Sequence, residues 1–262
     1  MFEGINAEAY QVKDDYKSKI ESLCQALAID EYCHLESDIV ELLLKERDPL
    51  ALSDWQQFST SWHDLSSDLY MADGGKYRTR RHATLSALPS SVFWTRENHE
   101  PHYQSVNYNT LNGGIARHYE PINDEVIFGN TFKNIMIFGC EIFSRLNPYN
   151  YWHIEVHQFR IKAGENHEGK PTPEGIHRDG VNYVIMVLID RVNVLDGTTN
   201  IYDLDKRLLS EFTLKRPMSL AIVNDEKVFH GVTPIHIDNP KFEGYRDVLV
   251  ITFKKNKRIS QQ

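Results

Sequence analysis

The stretch Glu174-Gly175-Ile176-His177-Arg178-Asp179 leads, after Gly180, into the apolar segment Tyr183 to Ile189. On an extended backbone, residues two apart point to the same side, so His177 and Asp179 reach one metal ion together. The apolar segment carries no charge and reads as a strand buried on both faces. A third ligand must come from a distant strand. His230 qualifies, because Val228-Phe229-His230-Gly231-Val232 is β-branched and aromatic. Between Asp179 and His230 lie the buried strand, a tight turn at Asp196-Gly197, a short strand at Thr198 to Tyr202 and another strand at Met218 to Val223. Strands of this length and spacing suggest a jelly-roll, a double-stranded β-helix of the cupin type. The fold class is then mixed α/β, mainly β, with helices packed outside.

Two neutral imidazoles and one carboxylate on one face of an octahedral ion leave the opposite positions open, the donor set associated with non-haem Fe(II) oxygenases. Twelve histidines make false ligands easy to find. His236 sits in the turn-rich Thr233-Pro234-Ile235-His236-Ile237-Asp238-Asn239-Pro240 and is set aside. His153 and His157 share a strand face without a suitably placed carboxylate and read as structural. Sixteen residues after His230, Arg246 opens the strand Arg246 to Phe253, with Val248, Val250 and Thr252 on its side. A charge on an otherwise apolar face requires a carboxylate partner. A bidentate fork suits the far carboxylate of 2-oxoglutarate.

Six segments then occur in one order: Asp73-Gly74-Gly75-Lys76-Tyr77-Arg78, His157-Gln158-Phe159-Arg160-Ile161-Lys162-Ala163, His177-Arg178-Asp179, Gly197-Thr198-Thr199-Asn200, Val228 to Pro234, and Tyr245 to Phe253. Together they resemble the family of Fe(II)/2-oxoglutarate dioxygenases that includes bacterial isoleucine hydroxylase, over roughly residues 70 to 253. The resemblance implies a small substrate, a free L-amino acid, hydroxylated at an unactivated C–H bond with O2 while 2-oxoglutarate becomes succinate and CO2. It places Fe(II) on His177, Asp179 and His230 and the cosubstrate on Arg246. Many relatives carry Ser or Thr two residues after that arginine, where this chain has Val248, so a second hydrogen bond to the cosubstrate is assigned to Thr252 or Gln158. Substrate contacts are assigned to Arg78, Arg160 and Asn200. Thr198 stands where the amino-acid hydroxylases tend to have glycine. Two other readings are a dioxygenase acting on a protein side chain and a non-catalytic cupin-like metal sensor. Retention of Arg246 argues against the sensor, since metal binding alone does not need it.

Composition sets the outer bounds. A chain of 262 residues is read as one domain, with 1–70 a helical buttress and 71–255 the jelly-roll with one inserted helix. A net charge of -8 and a pI near 5.8 argue against nucleic acid or an anionic membrane as partner. Three cysteines form no disulfide framework, which suits a reducing cytoplasm. The first residues lack the basic and apolar regions of a signal peptide, and no apolar run approaches membrane-spanning length.

In the buttress, Tyr16, Ile20, Leu23 and Leu27 fall at helical spacing. Ser37 is read as the cap of a second helix carrying Ile39, Leu42 and Leu43, and Ser53-x-x-Gln56 as a capping box for a third with Trp55, Phe58 and Trp62. Tyr77 to Leu85 reads as a strand with Arg78, Arg80 and His82 on one face. That face is either a solvated cationic edge or a place where arginine meets an anionic substrate. Tyr103 to Tyr119 is a hairpin or a lid loop. Thr131 to Arg145 reads as a helix burying Cys140, stopped by Asn147-Pro148. Trp152 to Ile161 is a long strand with Gln158 and Arg160 on one face, lining a polar cavity or joining a structural network, and His157 and Phe159 on the other.

Overall fold

A computed structural model describes residues 7–109 and 111–256, and all statements of structure below refer to these. Residues 1–6, on which the reading of no signal peptide partly rests, lie outside them. The strands that matter for the site are β1 (Tyr32–Leu35), β2 (Arg78–Ala87), β3 (Tyr151–Ala163), β4 (Tyr183–Val192), β5 (Thr199–Tyr202), β6 (Leu208–Phe212), β7 (Leu220–Asn224), β8 (Phe229–Val232) and β9 (Gly244–Asn256). The principal helices are α1 (Ala7–Asp30), α2 (Ser37–Arg47), α3 (Trp55–Thr60) and α4 (Asn130–Leu146).

The large sheet runs β1-β7-β4-β9-β3-β2 with every neighbouring pair antiparallel. A three-stranded sheet, β6-β5-β8, forms the second layer. Val184, Met186, Leu188, Ile201, Ala221, Val223, Val228 and Val248 form the core between the layers. This is the jelly-roll expected from the strand pattern.

Period-two alternation divides the large sheet into two unlike faces. Leu249, Ile251 and Phe253 of β9, with Trp152, Ile154 and Val156 of β3, are buried in the core that also holds Phe132, Met136, Cys140 and Phe143 of α4. Helix and sheet approach closely here. A Cβ on Gly139 would meet Ile185 Cδ1 at 2.8 Å, so only glycine fits without a shift. Cys140 is wholly buried, and burial pushes its thiol up to about 12, consistent with a packing role. The opposite face mixes charged, polar and apolar residues. Register aligns Arg78, Ile161, Arg246 and Arg191 in one row across the strands, then Arg80, Phe159 and Val248, then His82, His157 and Val250, then Thr84, Glu155 and Thr252.

Two local expectations change, both of them helix caps. In α2 the buried stripe is Val40, Leu43 and Leu44, while Ile39 and Leu42 face solvent. Ser37 does not cap that helix; its hydroxyl donates to the Pro217 carbonyl at 2.6 Å. The expected capping box also fails, because Asp54 at the N-cap of α3 turns away to accept from the Thr131 amide and hydroxyl, at 2.8 and 2.6 Å, in the first turn of α4. In each case a tertiary partner outcompeted the local one.

Gln158 and Arg160 face the helices. Gln158 Nε2 donates to Ser61 Oγ at 2.8 Å. Arg160 forks onto Asp247 with bonds of 2.7 and 2.6 Å and stacks over Tyr245. Of the two readings of this face, the structural network is the one present. Arg160→Met should cost about 3–5 kcal/mol by leaving Asp247 buried without its partner. The double variant Arg160→Met/Asp247→Leu should recover most of that loss in denaturant unfolding; a double variant as unstable as the single one would show that the pair does not explain the loss.

Candidate metal centre

His177 precedes β4 and pairs through its backbone with His230 of β8, each amide donating to the other's carbonyl at 2.9 Å. Their ring centroids stand 4.6 Å apart. Asp179 completes the set, with Oδ1 3.6 Å from His177 Nε2 and Oδ2 3.4 Å from His230 Nε2. The three donor atoms lie within 4.8 Å of one another, a grouping able to hold one metal ion. His177 Nδ1–H donates to the Gly175 carbonyl at 3.0 Å, which fixes the tautomer that aims Nε2 at the centre. Burial alone would raise the Asp179 carboxyl, but the two imidazoles hold it well below the usual carboxylate range. Burial likewise opposes charge on His177, yet Asp179 and Glu174 push it up to about 10. Metal uptake must displace that proton, so affinity should increase with pH up to that value.

Asp225, in a turn that reads as ordinary in the sequence, organises the motif. Its carboxylate accepts from the backbone amides of Asp179, Gly180 and Val181 at 2.8, 2.8 and 3.1 Å and lies 3.8 Å from His230 Nδ1. Gly180 is required there: its φ is +79°, and a Cβ would meet the Tyr108 ring at 2.5 Å. From the other side, Gln104 Nε2 donates to the Asp179 carbonyl at 3.1 Å and to Oδ1 at 3.3 Å. Gln104 follows the short strand His102–Tyr103, which pairs with Ala116–Arg117, so the segment Tyr103 to Tyr119 contains one side of a small hairpin over the metal centre.

The centre opens into a cavity of about 390 Å³ between the two sheets and this hairpin. Arg246 lines it at 3% exposure, with Nε unpaired, and burial depresses its guanidinium to about 10. Arg191, its register partner on β4, also leaves Nη1 unpaired, so two cations adjoin at this end. The cationic face of β2 is buried inside, not solvated: Arg78 and Arg80 line the cavity. Arg78 Nε already donates to Asp68 at 2.8 Å.

Several sequence assignments fall elsewhere. Gln158 and Arg160 are on the helix side of β3. Asn200 lines a separate surface depression with Tyr202 and Thr233, because alternation on β5 turns Ile201, the register partner of His230, inward instead. Thr252 does line the cavity, but six residues along β9 from Arg246 is roughly 20 Å, too far to share one small carboxylate. His236 is exposed and pairs with Asp196. Glu155, Arg117, Gln104 and Asp225 were missed. For Glu155 a signal existed: Trp152, Ile154 and Val156 mark the core face, so odd-numbered residues of β3 must face the cavity.

The family model for 2OG-Fe dioxygenases matches residues 59–252, and the chain belongs to that family. It is 28% identical over 217 residues to L-isoleucine-4-hydroxylase of Bacillus thuringiensis, covering 81% of this chain and 87% of that protein. Among solved structures it is similar to a BsmA homologue from Methylobium petroleophilum, with a TM-score of 0.79 and 31% identity over 90% of this chain and 93% of that one. The structure titled IDO from Bacillus thuringiensis shares the fold, with a TM-score of 0.75 at 21% identity over 91% of this chain and 100% of that one. The family's Fe(II) and 2-oxoglutarate suit the residues present: the donor triad fits the ion, and the buried, unpaired Arg246 fits a dianion.

Replacing Asp225 with Ala should weaken metal binding by about 10–100-fold while leaving the fold intact, since groups that orient ligands typically carry that much affinity. Titration of the apoprotein with Co(II) checks it; affinity within twofold of wild type would contradict the role.

Proposed function

We propose that this dioxygenase hydroxylates a free aliphatic L-amino acid, with His177, Asp179 and His230 holding Fe(II) and Arg246 anchoring the far carboxylate of 2-oxoglutarate. The observation that carries the reading is one cavity lined by both a two-histidine, one-carboxylate centre and a buried arginine unpartnered among the described residues. When bound, Fe(II), 2-oxoglutarate and O2 supply the oxidising chemistry; one oxygen atom goes to the substrate and the other leaves in succinate, with CO2 released.

The chain's own residues bind, orient and exclude. His177, Asp179 and His230 occupy one face of the ion and leave the others for cosubstrate and oxygen. Arg246, in a dry setting, gains more from a carboxylate than it would in water, and its planar fork fixes the cosubstrate's direction. Val181, Val184, Met186, Val248 and Val250 make the cavity wall aliphatic, which favours a hydrocarbon side chain over a polar one. The hairpin with Gln104 closes over the metal ligand and limits water. The match to an isoleucine hydroxylase over most of its length points the same way.

Succinate release measured with Fe(II), 2-oxoglutarate and each free L-amino acid in turn tests the reading. Aliphatic amino acids should stimulate release at least tenfold over the uncoupled background. Arg246→Ala should raise KM for 2-oxoglutarate by at least ~100-fold, as expected when one side of a buried charge pair is lost. Stimulation by no amino acid, alongside stimulation by a peptide, would replace the substrate class.

A further inference from the structure

Beside the triad and Arg246, the cavity is lined by a second set of charges, which includes Arg117 and Glu155. Arg117 is 2% exposed and lines the cavity, and both Nε and Nη2 lack any partner among the described residues. Those two nitrogens form the side-on edge of the guanidinium, the edge that takes a carboxylate through two parallel bonds. Its neighbours do not neutralise it. Asp68 engages Arg78 at 2.8 Å and lies 3.7 Å from Arg80, and no carboxylate contacts Arg117.

Directly across the hairpin from Arg117 is its register partner His102. His102 Nδ1 donates to Glu155 Oε1 at 2.9 Å, and His82 Nε2 lies 3.4 Å from the same oxygen. Both histidines converge on Oε1, which leaves Oε2 of this cavity-lining carboxylate as an acceptor without a hydrogen bond among the described residues. Burial alone would raise the Glu155 carboxyl, but the two imidazoles hold it below the usual range, so it stays anionic. His102 thus has a free carboxylate edge bonded to its ring and a free guanidinium on its register partner.

We propose that Arg117 and Glu155 form the recognition site for an unmodified α-amino acid zwitterion, Arg117 taking the α-carboxylate and Glu155 the α-ammonium. The inference rests on the substrate class proposed above and supplies its recognition chemistry. The two charged groups of an α-amino acid share one carbon, so only adjacent, opposite charges can take both. Residues within a peptide have neither. The same hairpin carries Gln104, bonded to Asp179, so a zwitterion fixed at Arg117 is held in register with the metal ligand. Thr252, register partner of Glu155, lies at this substrate end of the cavity.

The four side chains His82, His102, Glu155 and His157 are also close enough to hold a metal ion. Two features oppose that use. Arg80 Nη2 donates to His157 Nδ1 at 2.6 Å, which puts the imidazole proton on Nε2 and removes both nitrogens as ligands. Arg80 and Arg117 also place positive charge beside the cluster.

The test compares wild type with Arg117→Gln, Arg117→Lys and Glu155→Gln, using whichever free amino acid supports succinate release, together with its N-acetyl and carboxamide derivatives. Wild type should reject both derivatives. Arg117→Gln should raise KM for the amino acid at least ~30-fold, with KM for 2-oxoglutarate within twofold and iron content preserved. Arg117→Lys should restore part of the loss, keeping charge without the fork. Glu155→Gln should raise KM for the amino acid and narrow the discrimination against the N-acetyl derivative. Unchanged amino-acid KM in Arg117→Gln would overturn the proposal while leaving the amino-acid reading standing. If no free amino acid works in wild type, the substrate class itself fails. Two equivalents of Fe(II) per chain, the second lost in His102→Ala, would overturn the proposal in favour of a second metal.

Discussion

Alternation of side chains across β3 and β9 is the constraint on which the rest of the structure depends. Each strand sends one set of residues into the helices and the other into the cavity. The helix side is closed by Trp152, Ile154, Val156, Leu249, Ile251 and Phe253, so the alternate residues on the other side need not all be apolar. They are instead charged, polar or thinly aliphatic, and they form the walls of the chemistry. A one-residue slip in either strand would bury the site and expose the core.

That cavity face is over-supplied with buried charge. Among the described residues, Arg246 and Arg117 line the cavity without a carboxylate partner, and burial without a partner is costly. The nearby pairs show the alternative: Arg78 with Asp68 and Arg160 with Asp247 are neutralised within the protein. In those two pairs the chain supplies the partner itself. On the reading proposed above, an anion from outside completes the pair at Arg246 and at Arg117. Two free guanidiniums at separate places in one cavity correspond to two anionic groups, one on the cosubstrate and one on the substrate.

The grouping of His177, Asp179 and His230 was legible because chemistry and spacing both speak locally: His177 and Asp179 are two apart, and His230 sits in a β-branched and aromatic run. The inward position of Arg246 was legible for the same reason, a charge opening an apolar strand. The jelly-roll followed from strand spacing, and the family match agrees with it. What sequence reading missed depended on which face a strand presents or on what lies opposite. Gln158, Arg160 and Asn200 are polar residues on strands that match the family, yet each points away from the metal. Arg117 and Gln104 belong to a segment whose asparagines, tyrosines and histidines show no period, so only the folded hairpin reveals them. Asp225 sits in an Asn-Asp-Glu-Lys turn whose composition predicts solvent, while in the structure its side chain is 99% shielded and bonded to three backbone amides.

The central claim is that one ion and one dianion share this cavity, the ion on His177, Asp179 and His230 and the dianion on Arg246. Crystals grown anaerobically with Fe(II) and 2-oxoglutarate, measured at the iron absorption edge, test it most directly. The prediction is a single anomalous peak between the two imidazole Nε2 atoms and the Asp179 carboxylate, with cosubstrate density running from that peak to the Arg246 guanidinium. A peak at the His82, His102 and Glu155 cluster with none at the triad, or cosubstrate density ending at another cation, would contradict it.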